Sequence, residues 1–200
     1  MKIGILGSSF NPAHLGHLKL SDKAIQIFDL DEVWWMITKQ NPLKEKDDYM
    51  SFEDRNNQAK KLIGNNNIKL KFFEDITNSN YLIDNLKHIK SNFTEDEFIF
   101  LMGSDSFEEM DKWKNYLDIF NQMPIAVFNR NEKLYNPLSS IVAEKFKNNQ
   151  IKLSDAKLIF TKSPAWIFIR DFNVSESSTA IRNNKCCLLY TSDAADEVSC

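Results

Sequence analysis

Six short apolar runs recur along the chain: Lys2–Leu6, Val33–Ile37, Ile68–Phe73, Phe98–Met102, Ile125–Phe128 and Trp166–Ile169. Between them the apolar residues take helical spacing. Leu18, Ile25 and Phe28 share a face in one stretch, and Leu82, Leu86, Ile89 and Phe93 do so in another. Ser51-Phe52-Glu53-Asp54 opens a further helix before Ala59, Leu62 and Ile63, as a capping-box-type start with Asp in place of Glu. Strand and helix in alternation require βαβ units, and right-handed crossovers turn these into a doubly wound parallel sheet of the α/β class. Pro124 stands just ahead of its strand, where a missing N–H is tolerated. The polar stretch 129–161 reads as an insertion with one amphipathic helix around Leu138–Phe146.

At 200 residues the chain is expected to form one domain over 1–185. With 25 basic and 28 acidic residues the net charge is −3, which argues against a duplex nucleic-acid partner. No apolar run is long enough to span a membrane, and the first residues do not have the pattern of a signal peptide. The three cysteines, Cys186, Cys187 and Cys200, fall within the last fifteen residues and make neither a disulfide framework nor a metal-ligand spacing. A cytoplasmic location is expected. The stretch 186–200 lacks the Lys, Asn, Ile and Phe that dominate the body, so it is expected to be a non-native or disordered tail, a natural flexible terminus being the alternative.

Glycine is scarce, with five in all, and three of them sit where an open parallel sheet binds ligands. Gly7 and Gly103 are expected directly after strands, and Gly16 at the start of the first helix. Ordinary turn glycines are the plainer explanation, but their neighbours are not ordinary. The segment Gly7-Ser8-Ser9-Phe10-Asn11-Pro12-Ala13-His14-Leu15-Gly16-His17 holds two of the chain's three histidines, three residues apart. In one helical turn they face the same side, next to the N–H groups and partial positive charge of a helix start. That arrangement suits phosphoryl oxygens and the charge on a transferring phosphorus. No Gly-Lys-Ser/Thr follows, so this is not a Walker A loop, and G-x-G-x-x-G is also absent.

The segment resembles the H-x-G-H nucleotidyltransferase superfamily. The wider match is similar to the bacterial nicotinate-nucleotide adenylyltransferases, in four blocks from Met1 to about Lys185. After the first block come Gln40-Asn41-Pro42-Leu43-Lys44, then Leu101-Met102-Gly103-Ser104-Asp105 with Trp113, then Ser177-Ser178-Thr179-Ala180-Ile181-Arg182. The resemblance implies a Rossmann-like nucleotidyltransferase fold and the joining of ATP to nicotinate mononucleotide (NaMN), giving deamido-NAD and pyrophosphate in NAD biosynthesis. It implies ATP contacts from Gly7, Ser8, Ser9, Phe10, Gly16, Gly103, Asp105, Ser177, Ser178 and Thr179. His14, His17 and Arg182 would act on the triphosphate.

Each block also has a reading from its residues. Lys44 follows a proline-fixed turn, where a flexible ammonium reaches a substrate phosphate; a solvated basic loop is the alternative. Asp105 suits ribose hydroxyls or a nearby Mg2+, or caps a helix. Trp113 lies among polar residues, and the resemblance has it stack on the nicotinate ring; partial burial is the alternative. Tyr81 matches the family's pyridine-nucleotide helix, whereas Leu82 departs from the usual Thr. Ser178 reads as a phosphate ligand or a plain helix cap, and Arg182 falls one turn inside that helix. Arginine is rare here, four against 21 lysines, so its position is informative. Ser8 stands where the family has Gly, and would be strained if that position needed φ > 0.

In the implied reaction the NaMN phosphate attacks the α-phosphorus of ATP in line, without a covalent intermediate, and Mg2+ rides on the phosphates. The rival readings are a sister transferase with a phosphopantetheine or polyol phosphate acceptor, and a non-catalytic nucleotide-binding regulator. The choice between nicotinate and nicotinamide nucleotides can be made by backbone amides, which leave no side-chain signature.

Overall fold

The computed structural model describes residues 1–40, 50–64, 67–129, 137–172, 178 and 181–182. Seven strands are assigned: β1 (Lys2–Ser8), β2 (Glu32–Ile37), β3 (Ile68–Lys71), β4 (Glu97–Gly103), β5 (Ile125–Phe128), β6 (Gln150–Ile151) and β7 (Trp166–Ile169). They form one sheet in the order β3-β2-β1-β4-β5-β7-β6, and every pair is parallel. The helices are α1 (Leu15–Phe28), α2 (Phe52–Ile63), α3 (Glu74–Thr77), α4 (Leu82–Asn92), α5 (Ser104–Glu108), α6 (Tyr116–Gln122) and α7 (Ile141–Lys145).

Period-two alternation assigns the strand residues to two cores. Val33, Trp35 and Ile37 of β2 pack with Leu20, Ala24 and Phe28 of α1 and with Ala59 and Ile63 of α2. Trp34 and Met36 face the other way, toward Ile83, Leu86 and Ile89 of α4 and Phe107 of α5. A sheet covered on both faces explains why its strands are near-continuous apolar runs. The chain runs outward from β1 to β3 and then returns to β4 on β1's other side. The topological switch point therefore lies between β1 and β4, and a ligand crevice is expected beyond their carboxyl ends.

Several expectations change in detail. The third strand stops at Lys71, because Phe73 already has helical torsions as the cap of α3. The two-residue β6 is too short to show a period. Between residues 137 and 146 a single 3-10 turn, Pro137–Ser139, precedes a short α7, in place of one longer helix. In α1 the buried stripe runs through His17, Leu20, Ser21, Ala24 and Phe28, with Leu18 and Ile25 at its margins. Ser51 does cap α2, accepting the Asp54 N–H at 3.0 Å. The Asp54 carboxylate takes the Ser51 hydroxyl at 2.7 Å instead of the cap's N–H. Asp is one methylene shorter than the Glu of a capping box, which favours the nearer hydroxyl. The expected domain end at Lys185 and the tail lie outside the described residues.

Candidate active site

Helix α1 begins with an unusual cap. His14 has extended torsions (φ −146°, ψ 168°), and its Nδ1 accepts the N–H of Gly16 at 3.1 Å. His17 reciprocates, its Nδ1 accepting the His14 N–H at 3.2 Å. This is a capping box built from two imidazoles. The rings lie 3.9 Å apart, centroid to centroid, and both are buried. An Nδ1 that accepts a hydrogen bond carries a lone pair, so the neutral ring holds its proton on Nε2. Both histidines are thereby set as Nε2–H donors. The sequence suggested that the helix N–H groups would meet a ligand themselves. Two of them, on His14 and Gly16, instead orient the rings.

The floor under His17 is aromatic. The Phe10 ring lies 4.7 Å from that of His17 and stacks on Trp35 at 4.7 Å and 17°. Trp35 Nε1 donates to Ser21 Oγ at 2.8 Å, and the Ser21 hydroxyl donates to His17 O at 2.9 Å. Phe10 is fully buried, so its ring supports the site and is closed to a ligand.

The loop between β1 and α1 is held from several directions. Ser9 O accepts from Arg55 Nη1 at 2.5 Å. The Asn11 side-chain oxygen accepts the Met50 N–H at 3.0 Å. Asn11 O accepts from Arg182 Nη1 at 2.6 Å, and Pro12 O accepts the Ser178 hydroxyl at 3.0 Å. The first and last sequence blocks, more than 160 residues apart, thus meet at this loop.

Ser8 proves unstrained. It is the last residue of β1, paired with Ile37, and its Oγ accepts the Phe10 N–H at 3.3 Å. The left-handed torsion belongs to Phe10, at φ 46°. The glycines also differ from expectation. Gly7 and Gly103 lie inside the ends of their strands, opposite Met36 and Phe128. A Cβ on Gly7 would come within 3.3 Å of the Phe100 ring, so its bareness serves packing within the sheet. Gly103 is itself the N-cap of α5, which leaves Asp105 in the helix's first turn and overturns the capping alternative for it. In the same helix the Glu108 carboxyl is pushed above its ordinary value, by burial first and then by the charges of Asp105 and Glu109.

Lys114, the sequence neighbour of Trp113, reaches Tyr81. Tyr81 caps α4, partly exposed, and the Lys114 ammonium sits 4.0 Å from its ring centroid. Trp113 ends the 3-10 turn Met110–Lys112 and is half-buried against the α4 and α6 side of the core. Lys44, Ser177 and Thr179 lie outside the described residues.

Two residues outside all four sequence blocks hold the loop after β2. Arg55 is buried and donates to the carbonyls of Thr38 (2.8 Å), Lys39 (2.7 Å) and Met50 (3.1 Å) as well as Ser9. Glu74, also buried, accepts the Lys39 N–H at 3.1 Å and the Thr38 hydroxyl. The scarcity of arginine, which singled out Arg182, applies equally to Arg55.

Residues 5–184 match the cytidylyltransferase-like family. The chain belongs to that family. The relative from Agrobacterium fabrum, named "Probable nicotinate-nucleotide adenylyltransferase", is 36% identical over 92% of this chain and 99% of its own length. One of the same name from Rhizobium meliloti is 33% identical over 92% of this chain and 99% of its own. At such identity and coverage this cytidylyltransferase-like chain groups with those relatives. The Plasmodium falciparum nicotinic acid mononucleotide adenylyltransferase, described in complex with NaAD, is similar in fold. Its TM-score is 0.66 at 22% identity, over 91% of this chain and 82% of that one. Among the described residues no helix is long and apolar enough to cross a membrane.

Proposed function

We propose that the chain transfers the adenylyl group of ATP to nicotinate mononucleotide, forming deamido-NAD and releasing pyrophosphate. The observation that carries this reading is the pair of imidazoles 3.9 Å apart at the start of α1, each held by its Nδ1 so that Nε2–H donates. Such preorganised donors stabilise charge as it develops on phosphoryl oxygens. Curated relatives of this name over the full length support the acceptor.

A phosphate oxygen of NaMN forms the new bond to the α-phosphorus as the bond to the β-bridging oxygen breaks. Pyrophosphate carries away the electron pair. The attacking oxygen is already ionised, so no general base is required. His14 and His17 donate to the triphosphate, and Arg182 adds positive charge beside them. Ser178 anchors its segment to Pro12 O. Gly7, Ser8, Ser9 and Gly16 shape the backbone of the cradle. Gly103 and Asp105 stand at the crevice on β4's side, for the nucleoside. Tyr81, Trp113 and Lys44 serve the pyridine nucleotide, with Ser177 and Thr179 beside Ser178 on the phosphates. Magnesium would ride on the nucleotide's phosphates with mostly water ligands and would offset their charge, while the cradle's N–H donors would take phosphate oxygens. The setting is cytoplasmic, and residues 1–185 act as one domain.

The test is pyrophosphate release from MgATP with NaMN, nicotinamide mononucleotide, phosphopantetheine and glycerol 3-phosphate in parallel. Turnover with NaMN supports the reading. Turnover confined to another acceptor replaces it with a sister transferase, and tight ATP binding without release replaces it with a regulator.

A further inference from the structure

We propose that Arg55 is a positioning residue that locks the loop after β1 to the loop after β2, fixing the separation of the two substrates. This rests on the adenylyl-transfer reading, in which the first loop serves the triphosphate and Lys44, which follows β2 in the sequence, serves the acceptor. One guanidinium nitrogen, Nη1, donates to both Ser9 O and Thr38 O, at 2.5 and 2.8 Å. Nη2 donates to Lys39 O at 2.7 Å and Nε to Met50 O at 3.1 Å. A planar fork with donors in several directions can join three chain segments in this way; an ammonium on a flexible stem holds them less rigidly.

Glu74 completes the device from the opposite end. Between Thr38 and Lys39 lies one peptide unit. Its carbonyl is held by the Arg55 cation and its N–H by the Glu74 carboxylate. Charge-assisted bonds at both ends fix the plane of that peptide. The same cation reaches Ser9, next to Phe10, whose ring lies 4.7 Å from that of His17. A displacement of either loop must therefore stretch a buried, charged hydrogen bond. In-line attack needs the acceptor oxygen and the α-phosphorus at near-contact distance, and a misplacement of about 1 Å costs about 10²-fold in rate.

Hydrogen–deuterium exchange on the full chain reads the clamp without turnover. In the wild type the amides of residues 8–11 and 38–40 are expected to open together. Arg55→Lys is expected to raise exchange at least about tenfold in both loops while β4 stays protected. The same variant is expected to lose at least about tenfold in kcat, with the Kd of ATP and of NaMN, each measured alone, changed less than about threefold. Unchanged kcat and exchange overturn the proposal, as does a parallel fall of kcat and both affinities, which marks a merely structural role. If Arg55→Lys does not fold, Glu74→Gln is held to the same criteria at the 38–40 loop. Independent opening of the two loops in the wild type overturns the proposal whatever the variants do. Because the Thr38 N–H also donates to Ser8 O at 3.2 Å, it is the loosening of both loops in Arg55→Lys that marks the clamp. That loosening in a protein that releases no pyrophosphate sinks the adenylyl-transfer reading and leaves the clamp standing.

Discussion

His17 Nδ1 accepts the main-chain N–H of His14, so the ring that faces the site also caps the helix that carries it. The two roles can be separated by mutation. The amide oxygen of Asn reaches about where Nδ1 lies, but Asn has no group in the place of Nε2–H. His17→Asn is expected to keep the cap while losing the ring's packing, and to lower kcat by about 10²–10³, the scale for losing one preorganised donor. His17→Ala is expected to lose the same activity and to be less stable than His17→Asn by about 1 kcal/mol, the worth of the cap. Denaturant melts and pyrophosphate release decide it; near wild-type turnover in either variant removes His17 from the chemistry. Nitrogen NMR on the wild type should show Nδ1 unprotonated and Nε2 protonated in both rings.

Trp113 is half-buried, and the ammonium of the next residue, Lys114, lies over the Tyr81 ring. Aromatic stacking on a nucleobase-like ring is worth about 1–3 kcal/mol. Trp113→Ala is therefore expected to raise KM for NaMN at least about fivefold and that for ATP less than about twofold. Equal losses for both substrates would show that the indole only packs.

Six of the seven strands were legible because a sheet buried on both faces demands apolar runs, β6 being too short to show one, and the two histidines because their spacing matches one turn of helix. Arg55 and Glu74 were not legible in the same way. Apart from the Thr38 hydroxyl, their partners named here are carbonyl and N–H groups of residues up to 46 positions away, and backbone groups are the same in every residue, so nothing in a motif betrays them. The Ser8 question shows the complementary failure. A missing glycine suggested strain there, whereas the left-handed torsion falls two residues later, on a buried phenylalanine, where packing overrides backbone preference.

Glu108 gives a pH signature. Burial, then Asp105 and Glu109, hold its carboxyl above the ordinary glutamate value of 4.5. The native state therefore binds this proton more tightly than the unfolded chain. The associated stability is present below about pH 4.5 and is lost as pH rises through the raised value. Glu108→Gln is expected to raise the melting temperature relative to wild type more at pH 7.5 than at pH 4. A difference independent of pH, or larger at low pH, would contradict the assignment.

Phe10 sets two opposing effects against each other. Its φ of 46° is unfavourable for any L-residue by about 1–2 kcal/mol, and glycine would relieve that. Its ring is fully buried on Trp35 beneath His17, and removing such a ring costs about 3–5 kcal/mol. Packing outweighs the torsion, so Phe10→Gly and Phe10→Ala are both expected to destabilise the fold. Their order is the informative part. Alanine loses the ring and keeps the unfavourable torsion, whereas glycine loses the ring and is at ease in that torsion. Phe10→Gly should therefore be the milder variant by about 1 kcal/mol, the reverse of the order at ordinary positions, where glycine's backbone entropy makes it the worse one. Urea melts of the two variants measure this directly. If alanine proves the milder, Phe10 does not hold its left-handed torsion in solution, and the floor under His17 is built differently.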